Sequence, residues 1–555
     1  ACDAYIGRLL KKGHKIAICE QVESPEEAKK RGPKSIVRRE VVRILTPGTV
    51  TEESFLESAQ NNFYAAVVGN ETTVSIATID VSTGQFFIEN TPTTFLEDAL
   101  SRLQPKEIIV PDAVLTLPTI KKVCARYQDR LTPQAATKFD HANGLRQLCT
   151  FYKVTSLSIF GTFTENDIKA AGGALEYVYL TQKEAIPHLQ PPRKIQRHDF
   201  LQIDATSRAS LELTETQRGS PKNTVLSLID ETCTASGQRL LAHTLAFPMV
   251  APADIKKRHD QVAFLTKHDE YLATLRTRLK NIPDGERALG RLSARRGTAR
   301  DLLVIRQLLK EGVALCDDVQ NMSAPFVPLP FSTSVLSPLQ DELLHALKDE
   351  VGALTRDGGF IRPGYHHNLD HLQNYAHASK SELIQHQKNY VETTGIASLK
   401  IKHNHVIGYF IEVTQTHVDK VPDTFIHRQS LVNSHRYTTP ELLSIQEKLV
   451  SAQDEALTLE LTLFDDLVQK TLAHQDKLRA LVAHISLIDM VAGFATLAKT
   501  HNYVRPVLTE DTTLIIDQGR HPTVERLLKQ QNETINTSQQ QLTGTKPSVS
   551  PTRKL

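Results

Sequence analysis

Two stretches of this chain share one apolar rhythm, and a different texture separates them. Leu369, Leu372, Ala376, Ser379, Leu383, His386 and Tyr390 recur at alternating steps of three and four residues. After Pro440, the series Leu442, Ile445, Leu449, Ala452, Ala456, Leu459 and Leu463 repeats the alternation. A repeat averaging about 3.5 residues lines these side chains along one seam of a long helix, and a second helix must cover such a seam. Between them, Val406-Ile407-Gly408-Tyr409-Phe410-Ile411-Glu412-Val413 is β-branched and aromatic and predicts a strand. The expected arrangement is two antiparallel helical arms with a small β-rich insert at their tip.

The insert is cationic. Lys400, Lys402, Lys420, Arg428 and Arg436 face only Glu412, Asp419 and Asp423, with His403, His405, His417, His427 and His435 among them. Lys, Asn and His at the turns of a β structure on a long lever suit gripping a phosphate backbone. The plainer alternative is a solvated protein-contact surface. The histidine spacings lack a four-ligand set, so solvated or phosphate-facing roles are expected rather than a metal site.

At 555 residues the chain is expected to hold three or more domains. No run of eighteen apolar residues predicts a membrane span. Cys2, Cys19, Cys124, Cys149, Cys233 and Cys316 are scattered without a Cys-x-x-Cys pair, which points to a reducing compartment and away from a cysteine metal site. Net charge is +2, so nucleic-acid binding must come from local patches. The start Ala1-Cys2-Asp3 has no leader and reads as the interior of a longer protein.

The first fifty residues are locally basic, with eleven Lys/Arg against six Asp/Glu. A short helix over 5–10, a stop at Gly13, strands over 15–21 and 39–45 and a turn over 46–49 are expected. From 62 to about 192 the texture becomes α/β: strands over 63–68, 74–80 and 85–88, a helix over 95–103 and a buried strand over 107–110. A meander followed by helix and strand resembles the ribonuclease H layout. In a nuclease of that layout Asp80 would bind a metal, with Asp112 on the next strand; the alternative is that Asp80 caps a turn. From 200 to 364 helices are expected over 204–217, within 224–247, and over 253–267, 269–280, 284–294 and 301–318. The row Arg287, Arg291, Arg295, Arg296 reads as a salt-bridged helix face. Helix resumes over 472–499 as core, 514–517 reads as a strand, and 529–555 predicts disorder.

Six ordered runs then combine. They are Ile16-Ala17-Ile18-Cys19-Glu20-Gln21, Val41-Val42-Arg43-Ile44-Leu45-Thr46-Pro47-Gly48-Thr49, Asp204-Ala205-Thr206-Ser207-Arg208, Arg356-Asp357-Gly358-Gly359, Gly408-Tyr409-Phe410-Ile411 and Gly519-Arg520-His521-Pro522. Together they resemble the bacterial MutS mismatch-repair family over residues 1 to about 528. The resemblance implies a multidomain α/β plus mainly α chain. Residues 1–60 would end the mismatch-recognition domain, and 61–195 would be a ribonuclease H-like connector. The core with its lever helices would be 196–385 and 450–502, and 386–449 the clamp at their tip. Residues 503–528 would open an ATPase domain, with 529–555 a disordered or out-of-frame tail.

By the same resemblance the clamp holds the duplex backbone through Lys400, Lys402, Asn404, Arg428, Asn433 and Arg436. Asn433 and Arg436 fall in a run, 431–437, that matches the family pattern. Two departures stand out. The family's mismatch probe, a Phe-x-Glu that wedges into the base stack, would lie before Ala1. The phosphate-cradling Gly-x-x-x-x-Gly-Lys-Ser/Thr occurs nowhere in the chain. Leu542-Thr543-Gly544 resembles the approach to that loop, but Thr545-Lys546-Pro547-Ser548 does not continue it. A reading frame broken or mispredicted between about Lys529 and Gly544 is the expectation.

The resemblance implies double-stranded DNA with mispairs or small loops as ligand, and a MutL-type partner. ATP and Mg are implied as cofactors of the intact protein, with none on this chain. A homodimer is implied for the intact family but not expected here, and the location is cytoplasmic and nucleoid-associated. Weak DNA binding without ATP hydrolysis is expected of this chain. The competing readings are a structural coiled-coil protein with a hinge-like tip, and a ribonuclease H-like nuclease built on Asp80.

Overall fold

The computed structural model describes residues 3–32, 35–183, 185–404 and 406–528. His405, Lys34, Cys2 and the tail 529–555 lie outside the described residues. The chain divides into two compact units: 1–296 with 307–333 and 476–555, and 297–306 with 334–475.

The first unit opens with α1 (Asp3–Lys11), β1 (Ile16–Gln21), α2 (Pro25–Lys30) and β2 (Arg39–Leu45). β1 and β2 pair antiparallel with a bulge between Ile18 and Cys19. Gly13, with φ +79°, ends the first helical segment where a side chain would be strained. α2 was not anticipated, although Ser24 and Glu27 form a reciprocal capping box that marks its start. The turn after β2 docks on the next layer. Thr46 Oγ1 donates to Glu107, and Asn62 Nδ2 donates to Pro47 O at 3.0 Å. A Cβ on Gly48 would lie 2.6 Å from Tyr64 Cβ, so only glycine permits this approach.

A six-stranded sheet follows, in the order β7-β6-β3-β4-β5-β8. β3 (Tyr64–Gly69), β4 (Thr73–Asp80) and β5 (Gln85–Pro92) form the antiparallel meander. β6 (Glu107–Pro111) joins β3 in parallel, β7 (Leu131–Gln134) joins β6 in parallel, and β8 (Arg193–Ile195) joins β5 in parallel. Helices α3 (Leu96–Leu103), α4 (Pro118–Cys124), α5 (His141–Tyr152) and α6 (Glu165–Gln182) connect them. Alternation along β3 serves both faces. Ala65 and Val67 pack with Leu96, Leu100 and Ile120, whereas Tyr64, Ala66 and Val68 pack with Leu148, Ala174 and Val178. The sheet is therefore buried between two helical layers, which explains its near-continuous apolar strands.

The chain then turns helical, and here two expectations fail. The helix expected over 204–217 is only α7 (Ala205–Ser210), capped by Asp204. Leu211 is exposed and Glu212 takes a left-handed φ of 48°, so no apolar stripe carries the helix further. The stretch 224–247 holds two helices, α8 (Val225–Ile229) and α9 (Ala235–Ala246). Asp230 and Thr234 bond local backbone N–H groups and interrupt the run. α10 (Pro252–Lys267), α11 (Asp269–Leu279), α12 (Gly285–Ser293) and α13 (Ala299–Asn321) complete this stretch.

In the second unit α14 (Ser337–Ala346) leads to a loop whose Gly359, Phe360 and Ile361 N–H groups all donate to the buried Glu460 carboxylate at 2.7–2.8 Å. The long helices α15 (His367–Thr394) and α16 (Pro440–Ala473) run antiparallel, joined by β9 (Lys400–Asn404), β10 (Gly408–Thr414), β11 (Ile426–Ser430) and β12 (Ser434–Thr438). The four strands form one antiparallel sheet in the order β11-β12-β10-β9. The seam residues Ala376, Leu383, Leu442, Ile445, Leu449 and Ala452 are buried in one cluster with Ile411, Val413 and Tyr437 of that sheet.

The helix expected over 472–499 is a new one, α17 (Gln475–His501), which begins after a break at His474 and belongs to the first unit. It is long and apolar enough to cross a membrane, but 67% of that stretch is buried inside the protein. The expected strand over 514–517 is absent from the described residues. Leu514, Ile515 and Ile516 are 82%, 85% and 71% exposed and pair with no strand. β-propensity alone does not make a strand, because backbone N–H and C=O groups need a neighbouring strand to bond.

Candidate nucleic-acid interface

The insert's sheet has two chemically distinct faces. Tyr409, Ile411 and Val413 of β10 point to the arm helices. Phe410 and Glu412 therefore point away, since side chains alternate along a strand. Lys400 on β9 and Arg436 on β12 stand directly opposite Glu412 in register, one on each side. Lys402 stands opposite Phe410, and its Nζ reaches Glu412 Oε1 at 2.6 Å. Three cations thus surround one carboxylate on the outer face.

Arg436 is held most firmly. Its guanidinium lies 4.4 Å from the Phe410 ring, donates to Gln429 Oε1 at 2.8 Å and sits 3.9 Å from Glu412. Its side chain is only 20% exposed. Lys400 and Arg428 are exposed. Arg428 occupies the bulge where the β11–β12 register shifts between His427 and Gln429, which projects it from the sheet edge. Asn433 lies in the β11–β12 turn, and its carbonyl accepts from Gln415 N at 3.2 Å. The Asn404 Oδ1 accepts from Val406 N and Ile407 N at 3.0 and 2.7 Å, so this side chain shapes the β9–β10 turn and keeps only its Nδ2 for another partner.

The six expected residues thus share one sheet and its turns, but not one role. The sequence reading missed Glu412 as the hub, and Phe410 and Gln429 as supports for Arg436. The alternation along β10 placed Glu412 opposite the core face, but its neighbours follow only from the register. Two of the tip histidines, His427 and His435, have partners. His427, Ser430, His435 and Gln415 form a hydrogen-bonded chain with steps of 3.0, 3.1 and 2.6 Å, fastening the distal hairpin to the β10 exit.

Asp80 caps a turn. It is fully buried, its Oδ2 accepts from Asn62 N at 2.8 Å, and its Oδ1 accepts from Ser82 N and Ser82 Oγ at 2.9 and 2.6 Å. Asp112 is exposed. No cluster of three His, Cys, Asp or Glu able to hold a metal occurs among the described residues. Of the arginine row, Arg291 forms an ion pair with Glu53 at 3.9 Å, while Arg287 and Arg296 dock on neighbouring segments. Arg287 donates to the carbonyls of Glu57 and Gln60 at 2.8 and 2.6 Å, and Arg296 bonds the Gln182 amide.

Beside them Arg239, 2% exposed, donates to Asp284 at 2.7 and 2.8 Å and to Glu286 at 2.8 Å. Burial disfavours the Arg239 charge, but these carboxylates outweigh it and leave the group more basic than usual. Burial likewise pushes Asp284 up, yet the Arg239 bonds hold it below the ordinary range. For Glu286 burial wins and the carboxyl is raised.

The family model for MutS domain III matches residues 206–495, more than half of the chain. The chain belongs to the MutS family. Models of MutS domain II and MutS domain I match residues 62–190 and 1–54. The MutS domain II match covers the sheet from β3 to β7, and the MutS domain III match covers both arms and their insert. The chain is 38% identical over 536 residues to the DNA mismatch repair protein MutS of Dinoroseobacter shibae, covering 95% of this chain and 61% of that protein. It is 37% identical over 545 residues to the DNA mismatch repair protein MutS of Rhizobium meliloti, covering 96% of this chain and 59% of that protein. It therefore spans about three fifths of the length of these MutS relatives. The sequence holds no Gly-x-x-x-x-Gly-Lys-Ser/Thr, so its residues do not fit an ATP–Mg site of that kind.

Proposed function

We propose that this chain serves in DNA mismatch repair as the part of a MutS protein that grips mismatched duplex DNA. The insert over 386–449 acts as the clamp, and α15 and α16 act as its levers. Residues 196–385 and 450–502 form the core, 61–195 a ribonuclease H-like connector, 1–60 the end of the mismatch-reading domain, and 503–528 the opening of an ATPase domain. The observation that carries this reading is the outer face of the tip sheet, where Lys400, Lys402 and Arg436 gather around a single carboxylate. Arg428 and Asn433 extend that surface along one edge and its turn.

Cations and amides so arranged fix a duplex by its phosphates and confer salt dependence, not base choice. Lys400, Lys402, Arg428 and Arg436 supply charge, Asn433 and the Asn404 Nδ2 supply neutral donors, and Phe410 keeps Arg436 flat and extended. For the intact protein this reading carries a homodimer, ATP with Mg, a MutL-type partner and a place in the bacterial cytoplasm. A coiled-coil scaffold is less well supported, because arms of 28 and 34 residues reach only about 40–50 Å. The nuclease reading fails on Asp80, whose oxygens are spent on the turn.

Competition binding to matched and mismatched duplexes across a salt series tests the proposal. Lys400→Ala, Arg428→Ala and Arg436→Ala should each weaken both duplexes alike and lower the salt slope by about 1. A loss confined to mismatched duplexes would contradict a backbone grip.

A further inference from the structure

Away from the tip, the first unit holds an open cavity of about 440 Å³. Its walls come from distant parts of the chain: Asn61, Phe87 on β5, Arg193 on β8, Arg239 and His243 on α9, and Arg479 on α17. Three lining guanidinium groups, Arg193, Arg239 and Arg479, face one lining carboxylate, Glu286, and Asp476 also acts on Arg479. Arg239 is neutralised by Asp284 and Glu286. Arg479 donates instead to His188 Nδ1 and His188 O at 2.9 and 3.1 Å, and neither it nor Arg193 has a carboxylate within ion-pair distance among the described residues. Three buried polar atoms of the lining, Asn61 Oδ1, His243 Nε2 and Arg239 Nε, have no hydrogen-bond partner among the described residues. Leaving such atoms unbonded is costly. One side is aromatic, with the His243 ring 5.7 Å from that of Phe87.

We propose that this cavity is a binding site for a small phosphomonoester carrying a planar, hydrogen-bonding ring. Arg193 turns its guanidinium fork to the phosphoryl oxygens, and Arg479 adds the N–H groups not used on His188. A ring N–H or amino group donates to Asn61 Oδ1, and a second ring atom takes His243 Nε2. Phe87 supplies the apolar wall. Burial, with Arg193 near, pushes His243 down to about 4. The imidazole is therefore neutral near pH 7, and its Nε2 donates or accepts according to tautomer. Because the walls belong to the sheet and to two core helices, an occupant would tie these elements together.

Calorimetric titration of the full chain with 5′-AMP and with inorganic phosphate tests this. The absence of a Walker-type loop removes the usual competing nucleotide site. AMP should bind about tenfold or more tighter than phosphate and raise the melting temperature by about 2–5 °C near saturation. Arg193→Gln alters an exposed side chain that makes no bond among the described residues. It should weaken AMP about tenfold while duplex binding at the tip stays unchanged. The double variant with Arg479→Gln should abolish AMP binding. No AMP binding, AMP no tighter than phosphate, or unaltered AMP affinity in a folded Arg193→Gln chain would each overturn the site.

Discussion

Arg239 and Lys400 carry the same charge in opposite circumstances. Arg239 is sealed in the first unit with two carboxylates and the Ser58 carbonyl. Lys400 stands exposed on the outer face of the tip sheet, opposite a Glu412 already shared with Lys402 and Arg436. A desolvated charge is costly to hold unless it is paired, and removing one partner of a buried pair is then costly as well. A solvated charge is cheap to hold and remains free to attract counter-charge from outside. The contrast separates arginines that build the protein from cations left open to solvent, which composition cannot do.

The contrast breaks first if Arg239 is dispensable. Arg239→Met should destabilise the first unit by about 3–5 kcal/mol, because Asp284 and Glu286 stay buried without their partner. Lys400→Met should cost under about 0.5 kcal/mol. Equal costs in denaturant unfolding would erase the distinction.

A second test uses acid. Asp167 is fully buried, accepting from Lys194 Nζ and Thr164 N at 2.8 Å and from Ser75 Oγ at 2.7 Å. Burial pushes its carboxyl up, but these bonds outweigh it and hold it below the usual value. A depressed folded pKa means the stabilisation is whole above the unfolded value, near pH 4, and is lost as pH falls through the folded value. The intact chain should therefore lose stability below about pH 4 more steeply than Asp167→Asn, by about 1–3 kcal/mol across that window. Parallel acid-unfolding curves would count against it.

The smallest effect sharpens the other side of the comparison. Glu412→Gln removes the carboxylate among three cations and should raise duplex affinity about two- to fivefold at low salt. The gain should fade as salt is added, when followed by fluorescence anisotropy. Reduced affinity would make Glu412 an organiser that the cations need.

The arms were legible because a seven-residue seam demands a covering helix, and Leu442, Ile445 and Leu449 are buried as that demand requires. The tip cations were legible as a group. Their grouping around Glu412 was not, because register across β9, β10 and β12 is a non-local property. Arg239 offered no local signal, since its partner Asp284 lies 45 residues downstream. The stretch 204–217 misled in the other direction. Its composition suits a helix, but Glu212 turns left-handed and the apolar stripe ends. Ser24 and Glu27 show the opposite lapse, a start signal that was present in the sequence and passed over.

The inner face of the tip sheet is finished by the arms themselves. Ile411 and Val413 pack on Leu442 and Ile445, Gln387 Oε1 accepts from Ile401 N, and Gln446 Oε1 accepts from Tyr409 N, both at 2.8 Å. Residues 400–438 therefore own only half of their interior. Spliced out as a peptide they would not fold, and any transplant into a related protein would have to carry the adjoining helical turns as well.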